Sequence, residues 1–264
     1  RLMDGYSTTL NKFIGKVDAA STKTLGASKS TDKFNDSLDR TGRAAGAASS
    51  GIAKLVGTVA SLAAVKKVMG LTDTYTNTNA RLAMITGSLE EQKALQDDIF
   101  VAANRSRGSY TDMANAVAKM KMLAGDAFGS NQEAIGFTEL LQKSLKVSGA
   151  GTSEQQSAFL QLTQAMASGK LQGDEFRSIM ENAPMVANAI AKYLDVSKGE
   201  LKELSSDGAI TAEIIKNAMF DSADDINEKF KTMPQTFGDV WNRIKNAGTQ
   251  AFGGVFQKIN NILN

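Results

Sequence analysis

The stretch from Gly169 to Ile215 reads GKLQGDEFRSIMENAPMVANAIAKYLDVSKGELKELSSDGAITAEII. Short apolar runs with helical spacing alternate in it with tight polar turns. Signals for the start of a helix recur at Gly173 or Asp174, at Pro184, at Ser197 and at Thr211. The stretch therefore predicts four short helices joined by turns.

The same pattern extends upstream to Leu71. A serine N-cap followed three residues later by Glu or Gln satisfies two unpaired backbone donors at a helix start, and it occurs at Ser88/Glu91, Ser130/Glu133, Ser153/Gln156 and Ser197/Glu200. Thr111 is the predicted cap of one further helix. Apolar residues follow each cap at spacings of three or four, glycines occupy the turns, and no run alternates as a strand would. Residues 71–232 are predicted to form an all-α module of short capped helices.

Two segments precede this module. Residues 1–41 are polar and predict an arm without a defined fold. Residues 42–70 are rich in Ala and Gly and predict a helix, on which Ala53, Gly57 and Ser61 share one face. Small residues at that spacing allow close helix packing. A buried core helix, a self-associating seam and a membrane contact all fit this face.

Residues 233–264 follow Pro234 and predict one long amphipathic helix. Its apolar positions stay on one side for about seven turns. The chain begins at Arg1 rather than Met, and the apolar pattern runs to the last residues, so we expect a fragment whose last helix is the start of a longer rod. The candidate partner-binding residues lie on this apolar side and are Phe237, Val240, Trp241, Ile244, Phe252, Val255 and Ile259.

Composition excludes several kinds of chemistry. The chain has no cysteine and no histidine, which removes disulfides, thiol nucleophiles, Ser-His-Asp triads and zinc sites of the Cys/His type. Asp174 and Glu175, with Glu181 nearby, form the strongest carboxylate cluster, but the first two suit the positive end of a helix dipole. An enzymatic interpretation would need such a carboxylate pair in a cleft. We therefore predict no catalytic, cofactor-binding or metal-binding residues.

Weaker motifs have structural explanations. Gly149 and Gly151 form a G-x-G with no preceding strand, which predicts a turn. The acidic run Asp221 to Asp225 lacks the glycine and terminal glutamate of a calcium loop, so we expect a solvated turn. Ser30 and Lys33 match S-x-x-K by chance in the polar arm.

Charge argues against specific DNA binding. The net charge is +2, with about +6 in residues 1–70 and about −4 in residues 169–232. A recognition helix needs Lys or Arg to neutralise phosphates. The candidate helix after Thr211 offers only Lys216, beside Glu213 and Asp221. The apolar run from Leu55 to Val65 is shorter than the roughly 20 residues of a membrane span.

The sequence from Gly169 to Ile215 closely resembles the signature of the N-terminal domain of tape measure proteins from long-tailed bacteriophages and prophages. The similar elements are the GDE start, the ENAP break and the LDVSKGELKEL and DGAIT turns. The upstream order, an Ala/Gly-rich helix and then LTDTYTNTNARLAMITGSLEEQKALQ, is similar too. The resemblance covers roughly residues 45–232.

This resemblance implies a structural, mostly helical protein without a cofactor. It would set tail length during assembly, lie in several copies in the virion tail and leave the tube ahead of the DNA. Its partners would be further copies, the tail tube protein, tail assembly chaperones and tail tip proteins, and it would occupy the host cytoplasm during assembly. Some relatives carry cell-wall hydrolase modules, but no such signature occurs here.

Helix geometry predicts that the short helices and the long last helix have different roles. A continuous helix rises about 1.5 Å per residue and suits a ruler, whereas short helices fold back on themselves. We expect residues 71–232 to be a compact end module that docks or unfolds, and the rod to begin after Pro234. The alternatives are a membrane-inserting helical protein that aids genome entry and a helix-turn-helix-like binding module.

Overall fold

The computed structural model describes the backbone of residues 62–263 and the side chains of residues 73–250. Within that part it contains eleven α-helices, one 3-10 turn (Gly125–Ala127) and no β-strand, which confirms the all-α prediction. The helices are α1 (Leu62–Ala83), α2 (Leu89–Arg105), α3 (Tyr110–Ala124), α4 (Asn131–Val147), α5 (Thr152–Ser168), α6 (Gly173–Asn182), α7 (Pro184–Leu194), α8 (Lys198–Ser206), α9 (Ala212–Asp221), α10 (Ala223–Thr232) and α11 (Phe237–Leu263).

The chain divides into two compact units, Arg1–Asp73 and Thr74–Asn264. The described part of the first unit is the beginning of α1, and every helix from α2 onward belongs to the second. The predicted arm at residues 1–41 and most of the Ala/Gly-rich helix at 42–70 lie outside the described residues. The predicted boundaries at 41/42, 70/71 and 232/233 stay predictions.

Helix α4 is the centre of the second unit. It packs against six other helices: α2, α3, α5, α7, α9 and α10. Most of its residues are buried, including Phe137, Leu140 and Leu141 at the middle of the core. A helix surrounded on all sides has no solvated face. Any charge on α4 must therefore find a partner inside the protein.

Glu139 of α4 is paired with two cations. Its side chain is only 4% exposed, and its two carboxylate oxygens each lie 2.6 Å from a cation, Oε2 from Arg105 Nη2 and Oε1 from Lys143 Nζ. Lys143 Nζ also donates a hydrogen bond of 2.7 Å to Asn227 Oδ1. Because Arg105 ends α2 and Asn227 lies on α10, this network ties three helices together.

A second buried pair lies one and a half turns earlier on α4. Glu133 Oε1 is 3.0 Å from Lys216 Nζ, and Lys216 also donates to the Ala127 carbonyl at 2.8 Å. The other oxygen of Glu133 accepts the Gly129 backbone N–H. Lys216 lies on α9, and Ala127 and Gly129 lie in the turn before α4. The pair therefore holds both α9 and this turn against α4.

Hydroxyl N-caps start most of the predicted helices. Ser88, Ser130, Ser197 and Thr211 each accept the backbone N–H three residues later, at 3.1 to 3.3 Å, which confirms these caps. Pro184 occupies the first turn of α7 as predicted. A side-chain cap replaces one of the backbone acceptors that a helix start lacks.

Two predicted caps were wrong. Ser109, not Thr111, caps α3, because its Oγ accepts the Asp112 N–H at 3.2 Å and allows the apolar Tyr110 to begin the helix inside the core. Helix α5 starts at Thr152, before the predicted Ser153 cap. There Glu154 reaches back to the Gly151 N–H at 2.7 Å, so a glycine without a side-chain acceptor serves as the cap.

The two glycine turns of the signature stretch pair with each other. The Leu171 N–H donates to the Ile210 carbonyl at 2.8 Å, and the Ala212 N–H donates to the Gly169 carbonyl at 2.9 Å. Ser205 Oγ also donates to the Leu171 carbonyl. These bonds close the segment from α6 to α8 into a loop, so the GKL turn (Gly169 to Leu171) and the DGAIT turn depend on one another for their shape.

The carboxylates of the acidic run near Asp221 are exposed to solvent, as the sequence predicted, but only Ser222 in the run forms a turn. Asp221 ends α9, and α10 begins two residues later, which leaves Ser222 between the two helices. The carboxylates of Asp224 and Asp225 lie in the first turn of α10, where the helix dipole favours negative charge. Ile226 and Phe230 of α10 are buried against the core.

The buried network predicts a large cost for removing Glu139. In Glu139→Ala, Lys143 keeps its charge in the core without the carboxylate, so we expect the free energy of unfolding to fall by about 3 kcal/mol. Glu228→Ala removes the exposed pair with Lys231 and serves as the control, with an expected change within about 0.5 kcal/mol. Urea denaturation followed by circular dichroism measures both, and equal losses would contradict a structural role for the network.

Candidate partner-binding surface

The described half of α11 exposes its apolar side chains. Phe237 is 96% exposed, Trp241 60%, Ile244 56% and Val240 46%. Four large apolar side chains on one helix face, all in contact with solvent, form a surface that monomeric proteins rarely show unless it binds something. We call these four residues the α11 apolar face. The predicted residues Phe252, Val255 and Ile259 continue the same helical spacing, but their side chains lie outside the described residues.

The opposite face of α11 is polar and is the one that contacts the module. Asn246, which is 2% exposed, makes three hydrogen bonds. Its Nδ2 donates to Asn104 Oδ1 at 2.9 Å and to the Gly108 carbonyl at 3.0 Å, and its Oδ1 accepts the Tyr110 N–H at 2.7 Å. One amide thus joins α11 to α2, to α3 and to the loop between them.

Arg107, in the loop between α2 and α3, makes contacts with α4, α10 and α11. Its guanidinium donates to the carbonyls of Phe230 and Met233 and lies 4.4 Å above the Phe230 ring centroid. Its own carbonyl accepts Lys146 Nζ at 2.9 Å and Asn242 Nδ2 at 3.3 Å. The backbone of Arg107 is left-handed, with φ 56°, which turns the carbonyl toward these donors.

A partly buried ion pair completes the attachment. Lys146 Nζ of α4 lies 2.7 Å from Asp239 Oδ1 of α11. Partial burial raises the pKa of Asp239, but the hydrogen bond from Lys146, the Thr236 backbone N–H and the lysine charge outweigh burial. The pKa of Asp239 is consequently held below its ordinary value.

Helix α11 therefore packs against the module with its polar side, the reverse of an ordinary amphipathic surface helix. In residues 237–250 the single buried side chain is Asn246, and Asp239 and Asn242 are half-buried beside it. At 3.6 residues per turn, Asn246 lies about 180° from the centre of the α11 apolar face. An ordinary surface helix buries its apolar stripe. Within residues 237–250 the module contacts the polar side of α11, and the four residues of the α11 apolar face stay exposed.

A cleft of about 1110 Å³ lies beside the docked face. Its walls come from α3, α5, the end of α4 and the start of α11. None of the four residues of the α11 apolar face lines it. The cleft and the apolar face are thus separate surfaces, and the lining includes Asp112, Lys119, Met122, Phe159, Leu160 and Asn242.

The carboxylate cluster and the G-x-G motif noted in the sequence have structural roles where they fall within the described residues. Asp174 and Glu175 lie in the first turn of α6, and Asp174 makes an exposed pair with Arg177 at 3.7 Å. Between residues 73 and 250 no group of three or more acidic side chains is arranged to hold a metal ion. Gly149 lies in the α4–α5 turn with φ 75°, as predicted. Ser30 and Lys33 lie outside the described residues.

The helix-turn-helix alternative loses its only cation. Lys216, the single basic residue of α9, is 9% exposed and paired with Glu133 in the core, so it cannot contact phosphate. Among the described helices, none is both long and apolar enough to cross a bilayer.

Sequence reasoning missed the contacts that hold α11. Asn246, Arg107 and Lys146 are ordinary polar residues at helix and loop positions, and their hydrogen bonds across to or from α11 span 93 to 142 residues of sequence. The one signal was the concentration of amides opposite the apolar stripe, at Asn242, Asn246 and Gln250. A face rich in amides on a long helix is consistent with burial against other polar groups.

Comparison with known proteins identifies the family. The model of a family described as tape measure protein matches residues 66–258, which is most of the chain. No curated protein and no solved structure matches significantly.

The three hydrogen bonds of Asn246 should contribute measurably to the docking of α11 against the module. In Asn246→Ala the Tyr110 N–H loses its acceptor inside the protein, so docking of α11 should weaken by about 2 kcal/mol. Hydrogen exchange in residues 237–250 should speed up while exchange in α4 is unchanged. Gln250→Ala, an exposed amide on the same helix, is the matched control. Exchange that rises equally in both variants would contradict the role of Asn246.

Asp239 predicts a pH dependence of known sign. Its folded pKa lies below its unfolded pKa, so the ion pair stabilises the protein above the unfolded value near 3.9 and loses this effect as pH falls through the folded pKa. Wild type should therefore be more stable than Asp239→Asn at pH 7, and the difference in stability should shrink as pH falls from about 3.9 through the folded pKa. Denaturant titrations across pH measure this, and a constant difference would contradict it.

Proposed function

The chain belongs to the tape measure protein family, and on this premise we propose that it sets the length of a phage tail through a helical rod that starts at α11. As a member of this family it is a structural protein of the phage tail. Length control and ejection ahead of the DNA go beyond family membership and are our proposal.

The observation that carries the proposal is the contrast between α11 and helices α2 to α10 of the module. Helices α2 to α10 have 9 to 17 residues and pack back on one another. Helix α11 runs for 27 residues without a break. Each residue added to a straight helix lengthens it by about 1.5 Å, whereas a residue added to a folded-back module adds nothing to a distance along the tail.

The compact module fits an end better than a tube. A packed unit of about 160 residues has an expected radius of gyration near 15 Å. Several copies side by side exceed a channel just wide enough for a DNA duplex. We propose that the module docks at one end of the tail and that it unfolds if it travels down the tube. Its alanine-rich core supports the second part, because small side chains bury little area.

The partners follow from this placement. We propose contacts with further copies of the chain, the tail tube protein, tail assembly chaperones and tail tip proteins, with residence in the host cytoplasm during assembly. The α11 apolar face is the proposed contact surface for one of them. The family is structural, and we propose no catalytic step for this chain.

Membrane contact during ejection is the second candidate function. The exposed Trp241 and Phe237 favour it, since aromatic side chains on an amphipathic helix suit the bilayer interface. The neighbouring Arg243 and Lys245 would suit anionic headgroups. The reversed docking of α11 favours instead a partner that remains next to the module throughout assembly.

The proposed division predicts different results for two similar changes. Duplicating residues 247–257 adds about three turns and keeps the apolar face in phase, so tails should lengthen by about 16 Å. Deleting α8, Lys198–Ser206, should instead abort tail assembly, because the module loses a packed helix. Electron microscopy of averaged tails measures both. Tails of unchanged length after the duplication, or tails shortened in proportion by the α8 deletion, would contradict the proposal.

A further inference from the structure

We propose that α11 is a switch with two positions, and that the α11 apolar face folds from its exposed position into the neighbouring cleft of the same chain. The cleft position hides the face until a partner binds it. The switch belongs to the single chain and goes beyond the proposed function. Only its use in assembly, as protection of a contact surface, rests on that function.

The cleft and the α11 apolar face lie on opposite sides of the same two helical turns. Gly238, Asp239 and Asn242 form one wall of the cleft. Phe237 and Trp241 are interleaved with them in the sequence but lie on the other side of α11, where they are exposed. A rotation of the helix by about 180° about its own axis exchanges the two sides. The face therefore needs only a local movement to reach the cleft.

The remainder of the cleft offers apolar contacts for such a face. Met122 of α3 and Leu160 of α5 line it and are 43% and 38% exposed, and Phe159, which also lines it, is half-buried. At about 1110 Å³ the cleft is larger than the roughly 300–1,000 Å³ of ordinary small-molecule sites, so it has room for several side chains. Contact between the two apolar surfaces removes both of them from water, which is favourable.

The connection before α11 can act as the hinge. The chain between α10 and α11 is not helical. Arg107 donates to the carbonyls of Met233 and Pro234, and so anchors the start of this connection to the module. Gln235 and Thr236 follow the anchor and are exposed. Hinges are a few residues at the end of an element that absorb the change in φ and ψ, and these two residues are placed to do so.

The two positions differ in the kind of contact that holds α11. In the observed position Asn246 makes three hydrogen bonds and Lys146 pairs with Asp239. When α11 leaves, water replaces these partners, so the net loss is much smaller than the bonds themselves. The gain is the burial of large apolar side chains. Neither position has both kinds of contact, so the loss of polar contacts shifts the population toward the cleft.

Trp241 reports the position of α11, because it is the single tryptophan of the chain. In Asn246→Ala the observed position loses three hydrogen bonds, so we expect the Trp241 emission to shift to the blue. Acrylamide quenching of the full chain should fall at least about twofold relative to wild type. The comparison is made at a dilution where sedimentation velocity shows a monomer. Gln250→Ala removes an exposed amide and should change neither readout. Equal or greater quenching in Asn246→Ala would overturn the proposal.

Leu160→Asp tests whether the cleft is the covering surface. Leu160 is partly exposed, so the circular dichroism of the module should be unchanged, but the new charge lies where the apolar face would fold. Combined with Asn246→Ala, it should return Trp241 to wild-type quenching. Leu123→Asp, at an exposed leucine outside the cleft lining, is the matched control and should leave Trp241 covered. A Trp241 that stays covered in the double variant with Leu160→Asp would count against the switch.

An introduced disulfide traps the cleft position, because the natural chain has no cysteine. Ile244 does not line the cleft in the observed position, so a bridge between Ile244→Cys and Leu160→Cys forms only after α11 has moved. Mild oxidation of this double variant should give a faster band on a non-reducing gel, as expected for a bond within one chain. Gln250→Cys with Leu160→Cys is the control and should stay reduced. Bridges only between chains, or none, would contradict the movement.

The outcomes for the switch and for length control are separable. If Asn246→Ala leaves Trp241 accessible while duplication of residues 247–257 still lengthens tails, the switch is overturned and length control is supported. If Trp241 is covered in Asn246→Ala and uncovered again by Leu160→Asp, the switch is supported whether or not tail length changes.

Discussion

Two carboxylates on a helix with no solvated side constrain the rest of this fold. Glu133 and Glu139 lie on α4, which six helices surround, and an unpaired charge there would cost several kcal/mol. Arg105, Lys143 and Lys216 must therefore occupy particular places on α2, α4 and α9. Apolar packing alone tolerates small slides of one helix along another, whereas these paired charges do not. The network fixes the register in which short, alanine-rich helices assemble.

The attachment of α11 also depends on polar groups that find partners inside the protein. Here, however, it is the polar side of the helix that is buried and the apolar side that is exposed. The module offers α11 hydrogen-bond partners rather than an apolar groove, so the helix turns its polar side inward. The Arg107 loop is the meeting point, since its carbonyl, its guanidinium and its neighbours contact α4, α10 and α11. Among the described residues, the module thus fixes the direction of α11 while the four residues of the α11 apolar face stay exposed. A structural protein that assembles with others needs this combination of a fixed direction and an available surface.

The sequence was sufficient to predict the helices but not how they meet. Caps such as Ser88 and Ser130, and Pro184 in a first turn, act within a few residues, so local chemistry determines them. The Asp221 run was misjudged because α10 follows α9 with only Ser222 between them, and acidic residues suit a helix start as well as a turn. The α11 apolar residues were predicted by their spacing. The hydrogen bonds of Asn246, and those of Arg107 with Phe230, Met233 and Asn242, join residues more than 120 positions apart, and spacing carries no information about such pairs.

The polar seam beneath α11 also has a thermodynamic consequence. Heat capacity and the response to denaturant both scale with the apolar and total surface exposed on opening. Separating α11 from the module uncovers amides, a salt bridge and backbone groups, and little hydrocarbon. Opening this joint therefore changes the heat capacity little, so its enthalpy and entropy vary less with temperature than those of unfolding the alanine-rich core.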